Sequence, residues 1–435
     1  MLRVGLASVD ITPSLGTEIM GYFSRRVADD VRDPLEAVAF VADDGERQIA
    51  IVALDLCVLL REDADSLRAQ ASELTGIDPR SICITCSHTH QGPATVTLFN
   101  TTRDDAYVER SMKRAATAVR LAQQRLRPVK MGCATGRVPE VSHNRRWWMR
   151  DGSVIMHPAP QSPDRVRPAG PDAPEMLVVG FVDAETSQPV AALVNYALHY
   201  VGTPAVNTIT ADYAGVLRRS LEKWMGGDFR AIYVNGACGD IFWVDTDKPA
   251  PQHPTPFFHI DRIGRLLAGQ AMRQWNNIVD WHDQATVAAA WTEVPFKRRE
   301  ATPQQMEQAR QMLAGPPQPD NREWVYANEL MRLAEEPIER PVPIQALRVG
   351  PVGFAALPGE VFAEIGIAIK RRSPFPFTVI AELANGWFGY IPTDVALVEG
   401  SYETRLATVS KAAPGTASAW ETTALRLLED VAGQA

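Results

Sequence analysis

Cysteine is scarce in this chain. Five residues, Cys57, Cys83, Cys86, Cys133 and Cys238, are spread over 435 positions. Most lie inside apolar runs, which reads as small buried thiols in a reducing compartment and excludes a disulfide framework. Dense basic blocks are missing as well. Arg145-Arg146 and Arg371-Arg372 are isolated pairs and the formal charge is −8, so no nucleic-acid partner is expected. No apolar run reaches the ~18 residues that cross a bilayer, so no integral membrane segment is expected. Residues 1–10 lack a basic stretch followed by an apolar one, and no secretory signal is expected. Together these absences point to a cytoplasmic protein. Tandem repeats and clean linkers are absent too.

What is present is an ordinary globular balance, 46% apolar and 22% charged, on a chain long enough for a large core. Apolar runs at 3–9, 35–42, 49–56, 81–86, 129–134, 176–183, 190–198, 229–235, 285–296, 344–349, 352–357 and 377–383 predict strands. Asp43-Asp44-Gly45 predicts a hairpin. Helical spacing marks roughly 62–75, 104–126, 212–224, 258–275 and 418–432. In the second of these, Tyr107, Met112, Ala115, Ala116, Val119, Ala122 and Leu126 recur with a period near 3.6. Residues 157–174, rich in Pro and polar types, predict a loop. Residues 303–336 are charged and helical, with a break at 315–319, and read as a peripheral insertion. Hairpins mixed with strand–helix crossovers give an α/β fold of mixed β-sheets flanked by helices. Polar, Gly-rich punctuation follows many strands, which places a site at strand ends.

The strongest such punctuation is Ser87-His88-Thr89-His90-Gln91-Gly92-Pro93, after the apolar run Ser81 to Cys86. In extended backbone, residues i and i+2 point to one side, so both imidazoles face one cleft. Neutral imidazole is the commonest metal ligand; a hydrogen-bonded structural pair explains the two histidines equally well, and both readings stay open. Cys83 and Cys86 fall on opposite faces of a strand and no second Cys pair exists, so a cysteine zinc site is not expected. His199 ends another strand, as ligand or as satisfied core histidine. Glu360, after Pro358-Gly359, suits a site or a helix start. Gly21 marks a turn or a close backbone approach. Tyr390 and Tyr402 read as pocket or surface aromatics. His-Glu-x-x-His, Gly-Asn-His-Asp/Glu and Gly-x-Ser-x-Gly are absent, which excludes three common hydrolase types. An amidohydrolase barrel, which also begins with His-x-His on a strand, stays open.

The order of these pieces carries more than any one of them. Met20-Gly21-Tyr22, the His88-Thr89-His90 segment, Asn144-Arg145, His199, Asn235-Gly236-Ala237-Cys238-Gly239-Asp240, Leu357-Pro358-Gly359-Glu360, Gly389-Tyr390 and Tyr402 occur in one series. The series resembles the catalytic domain of the neutral/alkaline (non-lysosomal) ceramidase family over most of 1–410. The resemblance implies one zinc ion (Zn2+) held by His88, His199, Glu360 and Tyr390. It implies that His90 meets substrate or the attacking water and that Arg145 binds a substrate carbonyl or product carboxylate. It also implies that Gly21 gives a backbone contact to ligand and that Tyr402 joins the site. Larger members carry a signal peptide and a C-terminal immunoglobulin-like domain. Here neither is expected, and 1–435 reads as a single zinc hydrolase domain.

After Asp240 the chain has Ile241-Phe242-Trp243 where ceramidases have a serine-containing segment, which moves the expected substrate from membrane ceramide to a soluble small-molecule amide. The resulting expectation is a zinc-dependent amidase that uses metal-activated water. His90 is its general base and later proton donor, and Arg145 and Tyr402 its oxyanion stabilisers. Asp55, Asp212 and Asp240 are candidates to orient imidazoles. Trp147 and Trp387, with Trp148 and Trp243, line an apolar pocket or belong to the core. An esterase or lactonase on the same scaffold, and a non-catalytic binding protein with structural zinc, stay open, as does homo-oligomerisation.

Overall fold

Period-two alternation builds two sheets and decides what lies between them. In the computed structural model, which describes residues 1–203 and 206–434, eight strands form the larger sheet. They are β1 (Arg3–Asp10), β2 (Glu36–Asp43), β3 (Gln48–Leu54), β4 (Ile82–Cys86), β5 (Arg127–Arg137), β6 (Glu175–Asp183), β7 (Pro189–Tyr196) and β8 (Arg230–Asn235). Their order is β8-β7-β6-β5-β1-β2-β3-β4. β9 (Val287–Lys297), β10 (Glu339–Val349), β11 (Val352–Ala356) and β12 (Phe377–Ala381) form the smaller sheet in sequence order. The helices are α1 (Arg61–Thr75), α2 (Asp105–Gln124), α3 (Asp212–Met225), α4 (Phe258–Asn276), α5 (Pro303–Leu313), α6 (Arg322–Glu335), α7 (Ala363–Arg372), α8 (Asp394–Glu399) and α9 (Thr416–Ala432). Among the described residues, no helix is long and apolar enough to cross a membrane.

β2 shows how the layers arise. Val38, Phe40 and Ala42 enter a buried cluster shared with Leu347, Val349, Val352, Phe354 and Val379 of the smaller sheet. Ala37, Ala39 and Val41 point the other way, into a cluster that holds Leu67 of α1 and Met112 and Val119 of α2. The two sheets therefore face each other. Helices cover the outer faces: α1 to α4 on the larger sheet, α9 on the smaller one, where Val342, Ile344 and Ala346 meet Leu427 and Leu428. Each such valine, leucine, isoleucine, phenylalanine or methionine, fully buried, contributes about 1.5–3 kcal/mol.

β1–β2, β2–β3 and β5–β6–β7 pair antiparallel, while β3–β4, β7–β8 and β11–β12 pair parallel. Each parallel pair is closed by a crossover helix: α1, α3 and α7. The ends of these pairs are drawn together by the segment leaving β12. Thr85 Oγ1 donates to the Glu382 carbonyl at 2.8 Å, Asn385 N to the Ile84 carbonyl at 2.7 Å, and Glu382 N to the Asn235 carbonyl at 3.1 Å. Both edges of the larger sheet thus reach one place.

Two expectations need correction. The loop expected at 157–174 contains a strand, Arg165–Pro168, which pairs with Trp147–Met149 in a three-stranded sheet completed by Val154–Met156. Its Arg-Val-Arg-Pro sequence is almost wholly exposed, so it lacks the alternation that reveals strands. The helical segment at 303–336 is peripheral only in its first half. Thr302 and Gln305 form a reciprocal capping box for the largely exposed α5. α6 instead buries Val325 and Tyr326 in the main cluster, and its fully buried Glu329 accepts from Phe99 N at 2.9 Å.

Candidate active site

β4 ends at Cys86, and the next residues leave the strand at once. His88 is in the left-handed region, φ +66°, and its Nδ1 donates to the Cys57 carbonyl at 2.9 Å. That bond fixes the tautomer of the neutral ring and leaves the Nε2 lone pair free. Nε2 lies 3.2 Å from His199 Nε2, 3.2 Å from His90 Nε2 and 3.5 Å from Glu360 Oε2. Burial holds the His88 pKa below its ordinary value, against the pull of the Glu360 charge, and lowers His199 and His90 further. The lone pair of His88 Nε2 thus faces two further imidazole nitrogens and a carboxylate, all buried. A cation among them would satisfy the nitrogen lone pairs and the carboxylate together. The ligand atoms of His88, His199 and Glu360 lie within 4.8 Å of one another, the separation of a metal site, and imidazole nitrogen with carboxylate oxygen is a donor set that suits zinc. The residues present fit the ion.

Tyr390 reaches this cluster by backbone pairing: Glu360-Val361 and Tyr390-Ile391 form a short parallel ribbon. Its hydroxyl accepts from Arg145 Nη2 at 3.0 Å. Arg145 Nε donates to Glu403 Oε1 at 2.7 Å, and Arg146 approaches Glu403 Oε2 at 3.6 Å and Glu399 at 3.3 Å. Burial alone would lower the Arg145 pKa; Tyr390 and Glu403 more than offset it. The Tyr402 ring stands edge-on to Tyr390 at 5.8 Å.

His90 has different surroundings. Tyr200 stacks on its ring at 3.7 Å, and Tyr22 meets it edge-on at 5.6 Å. Gly21, φ +101°, packs so closely that a Cβ there would collide with His90 Nδ1. Trp387 donates from Nε1 to Glu360 Oε1 at 2.9 Å, so it holds a carboxylate of the cluster. Trp147 lies in the three-stranded sheet with the Arg165 guanidinium over its ring at 4.4 Å.

The three aspartates expected to orient imidazoles do other work. Asp55 pairs with Arg218 at 2.6 Å. Asp212 accepts from Val201 N and Gly202 N, at 3.1 and 2.8 Å, and so ties down the chain just after His199. It begins α3 without capping it. Asp240 accepts from Asn144 Nδ2 at 2.7 Å and Ala363 N at 2.8 Å, and its carbonyl takes Arg145 N at 2.9 Å. The groups that do face the imidazoles are the Cys57 carbonyl and a relay missed in the sequence. His199 Nδ1 lies 3.9 Å from Cys238 Sγ, which bonds Glu382 Oε1 at 2.7 Å. Glu382 Oε2 also takes Cys238 N and Val361 N, at 3.0 and 3.2 Å, so one buried carboxyl grips the Cys238 loop beside His199 and the backbone next to Glu360. Burial pushes its pKa up to about 8. The one signal for it was a lone acidic residue inside the last apolar run, 377–383.

Known proteins share the family and the fold of this chain. The family model described as neutral/alkaline non-lysosomal ceramidase, N-terminal, matches residues 2–241. No curated protein matches the chain. Among solved structures, the crystal structure of neutral ceramidase from Pseudomonas aeruginosa superposes with a TM-score of 0.77 at 18% identity, covering 98% of this chain and 74% of that one. A ceramidase complexed with C2 gives the same values. At that identity the likeness shows the fold.

Proposed function

The chain belongs to the neutral/alkaline non-lysosomal ceramidase family, which hydrolyses amide bonds, and from that membership we propose that it is a zinc-dependent amidase acting on a soluble N-acyl amide. The observation that carries this reading is the convergence of His88 Nε2, His199 Nε2 and Glu360 Oε2 beside a third, differently placed ring, His90. His88, His199 and Glu360 would hold one zinc ion, with Tyr390 as the fourth protein ligand. Bound there, zinc supplies Lewis acidity to the amide carbonyl and to water.

The chain's own residues supply the rest. His90 is neutral, because burial keeps its pKa well below the ordinary value. Its Nε2 can therefore take the proton that water loses on attack. A weakly basic imidazole gives that proton up readily, so it protonates the departing amine nitrogen; such transfers contribute about 10²–10⁴-fold. Arg145 stays charged beside Tyr390 and donates to the developing oxyanion, with Tyr402 completing the wall. Trp387 and Glu382 hold the ligand carboxylate and its backbone, which limits reorganisation during turnover. Half-buried rings of Tyr22, Tyr200 and Phe242 lead from His90 toward the surface and suit a compact apolar group. Trp147 and Gly21 are the other substrate contacts in this reading. The two sheets share one buried cluster, which supports reading 1–435 as one catalytic domain. Five free cysteines, four of them buried, fit the cytoplasm.

The test is metal content and turnover of purified protein. Wild type is expected to carry one zinc per chain and to hydrolyse N-octanoyl amides. His88→Ala and Glu360→Ala are expected to lose the metal, while His90→Ala keeps it and loses at least 100-fold in kcat. If neither His88→Ala nor Glu360→Ala loses zinc, the site assignment is wrong.

A further inference from the structure

We propose that Arg26 recognises a carboxylate on the amine half of the substrate, so that the favoured substrates are N-acyl amino acids. Arg26 is buried, 7% exposed, beside the proton-handling histidine: its Nη2 donates to the His90 carbonyl at 2.8 Å. Nη1 donates to Gln91 Oε1 at 2.8 Å and to the Val206 carbonyl at 3.3 Å. Every acceptor it meets is neutral. Among the described residues no Asp or Glu pairs with it, although its neighbour Arg25 holds Glu18 at 2.7 Å. Arg145, Arg146 and Arg218, equally buried, each face a carboxylate. A buried guanidinium without a counter-charge is costly to the fold, and an anionic ligand would offset that cost.

The neighbouring atoms support that ligand. Arg26 lies over the Tyr22 ring at 4.1 Å. Among the described residues, two buried polar atoms of this corner have no hydrogen-bond partner: Arg26 Nε and Tyr22 Oη. Nε–H and O–H are donors, and a planar carboxylate is the acceptor that matches a guanidinium edge. Tyr22 and Tyr200, edge to face at 5.5 Å, border the same corner and are half-buried.

The choice of the amine half rests on the amidase reading. There His90 protonates the leaving amine, and Arg26 hangs on the carbonyl of His90 itself. Arg145, neutralised by Glu403 and bonded to Tyr390, sits on the side of the candidate ligands and attends to the carbonyl. An amine departing past His90 therefore carries its substituent toward Arg26 and Tyr22.

The test compares N-octanoylglycine with N-octanoylpropylamine, in which an ethyl group replaces the carboxylate and the scissile amide is the same. Calorimetric binding to chelator-treated wild type avoids turnover. N-octanoylglycine is expected to bind at least tenfold more tightly, Arg26→Gln to remove that preference, and Arg26→Lys to restore part of it. Equal affinities in the wild type, or a preference that survives Arg26→Gln, overturn the proposal; the wild-type comparison stands even if the variants misfold. Zinc-loaded kinetics separate the two readings. If both amides are cleaved with equal kcat/KM, the carboxylate site falls and the amidase reading stands. If neither is cleaved while the tenfold binding preference holds, the amidase reading falls and the carboxylate site stands.

Discussion

Glu403→Gln would remove one charge from the centre of the site while keeping the shape of the side chain. Glu403 is fully buried, and so are both arginines it faces, at 2.7 Å from Arg145 Nε and 3.6 Å from Arg146 Nε. At 2.7 Å and an effective dielectric near 20, the first pair is worth roughly 6 kcal/mol of Coulomb energy, much of it cancelled by desolvation. Removing one partner of such a pair costs about 3–5 kcal/mol, because the other charge stays buried. Arg146 keeps Glu399 at 3.3 Å and the Gly400 carbonyl at 2.9 Å, whereas Arg145 keeps only the Tyr390 hydroxyl. The amide oxygen of glutamine still accepts from Arg145 Nε, so the lower end, about 3 kcal/mol, is expected. Guanidinium chloride unfolding measures it. The double variant Arg145→Met/Glu403→Leu is expected to recover most of the loss, since neither charge remains to be compensated. A Glu403→Gln variant within about 1 kcal/mol of wild type would refute the claim that this carboxylate holds Arg145.

Two further outcomes are specific. Gly21→Ala puts a side chain at φ +101° and into His90 Nδ1; it is expected to keep its metal and lose turnover, and wild-type kcat would show that His90 is not held from this side. Burial raises the Asp240 carboxyl from 3.8 to about 6. A folded-state pKa above the unfolded one gives stability that is fully present below about pH 4 and lost as pH rises through about 6, here roughly 3 kcal/mol. Asp240→Asn should lack that slope, so the wild-type-minus-variant difference in denaturation midpoint should fall between pH 4 and 6; a difference that is flat or rises sinks the assignment.

Strands and helices were legible where apolar period carried them, and so was the gathering of polar residues at strand ends. β2 and β3 lie within two residues of their expected bounds, and α2 ends two residues early. Partnerships were not legible. Asp55 sits at the end of an apolar strand and looked free to orient an imidazole, yet its partner is Arg218, 163 residues away. Glu403 stands next to a tyrosine that drew attention, and nothing in its neighbourhood announces two buried arginines. Glu382 needed the knowledge that the segment after β12 runs between β4 and β8. A buried charge is placed by tertiary neighbours, and local periodicity holds no record of them.

His88 and His90 show the same limit at the centre of the site. Two residues of extended strand would have given both rings one orientation and one environment. The chain instead turns at His88 through the left-handed region, a conformation that costs a non-glycine residue roughly 1–2 kcal/mol and persists where the surroundings enforce it. The turn lets the His88 ring bond the Cys57 carbonyl and present Nε2 to His199 and Glu360. It also stands His90 nearly perpendicular to His88, at 83°, against Tyr200. One imidazole thus has a fixed tautomer and a lone pair aimed at other acceptors. The other is stacked on Tyr200, with Gly21 packed against its Nδ1. These are the different requirements of a metal ligand and of a group that takes and returns a proton. The strained backbone at His88 is the reason that one His-x-His motif can meet both.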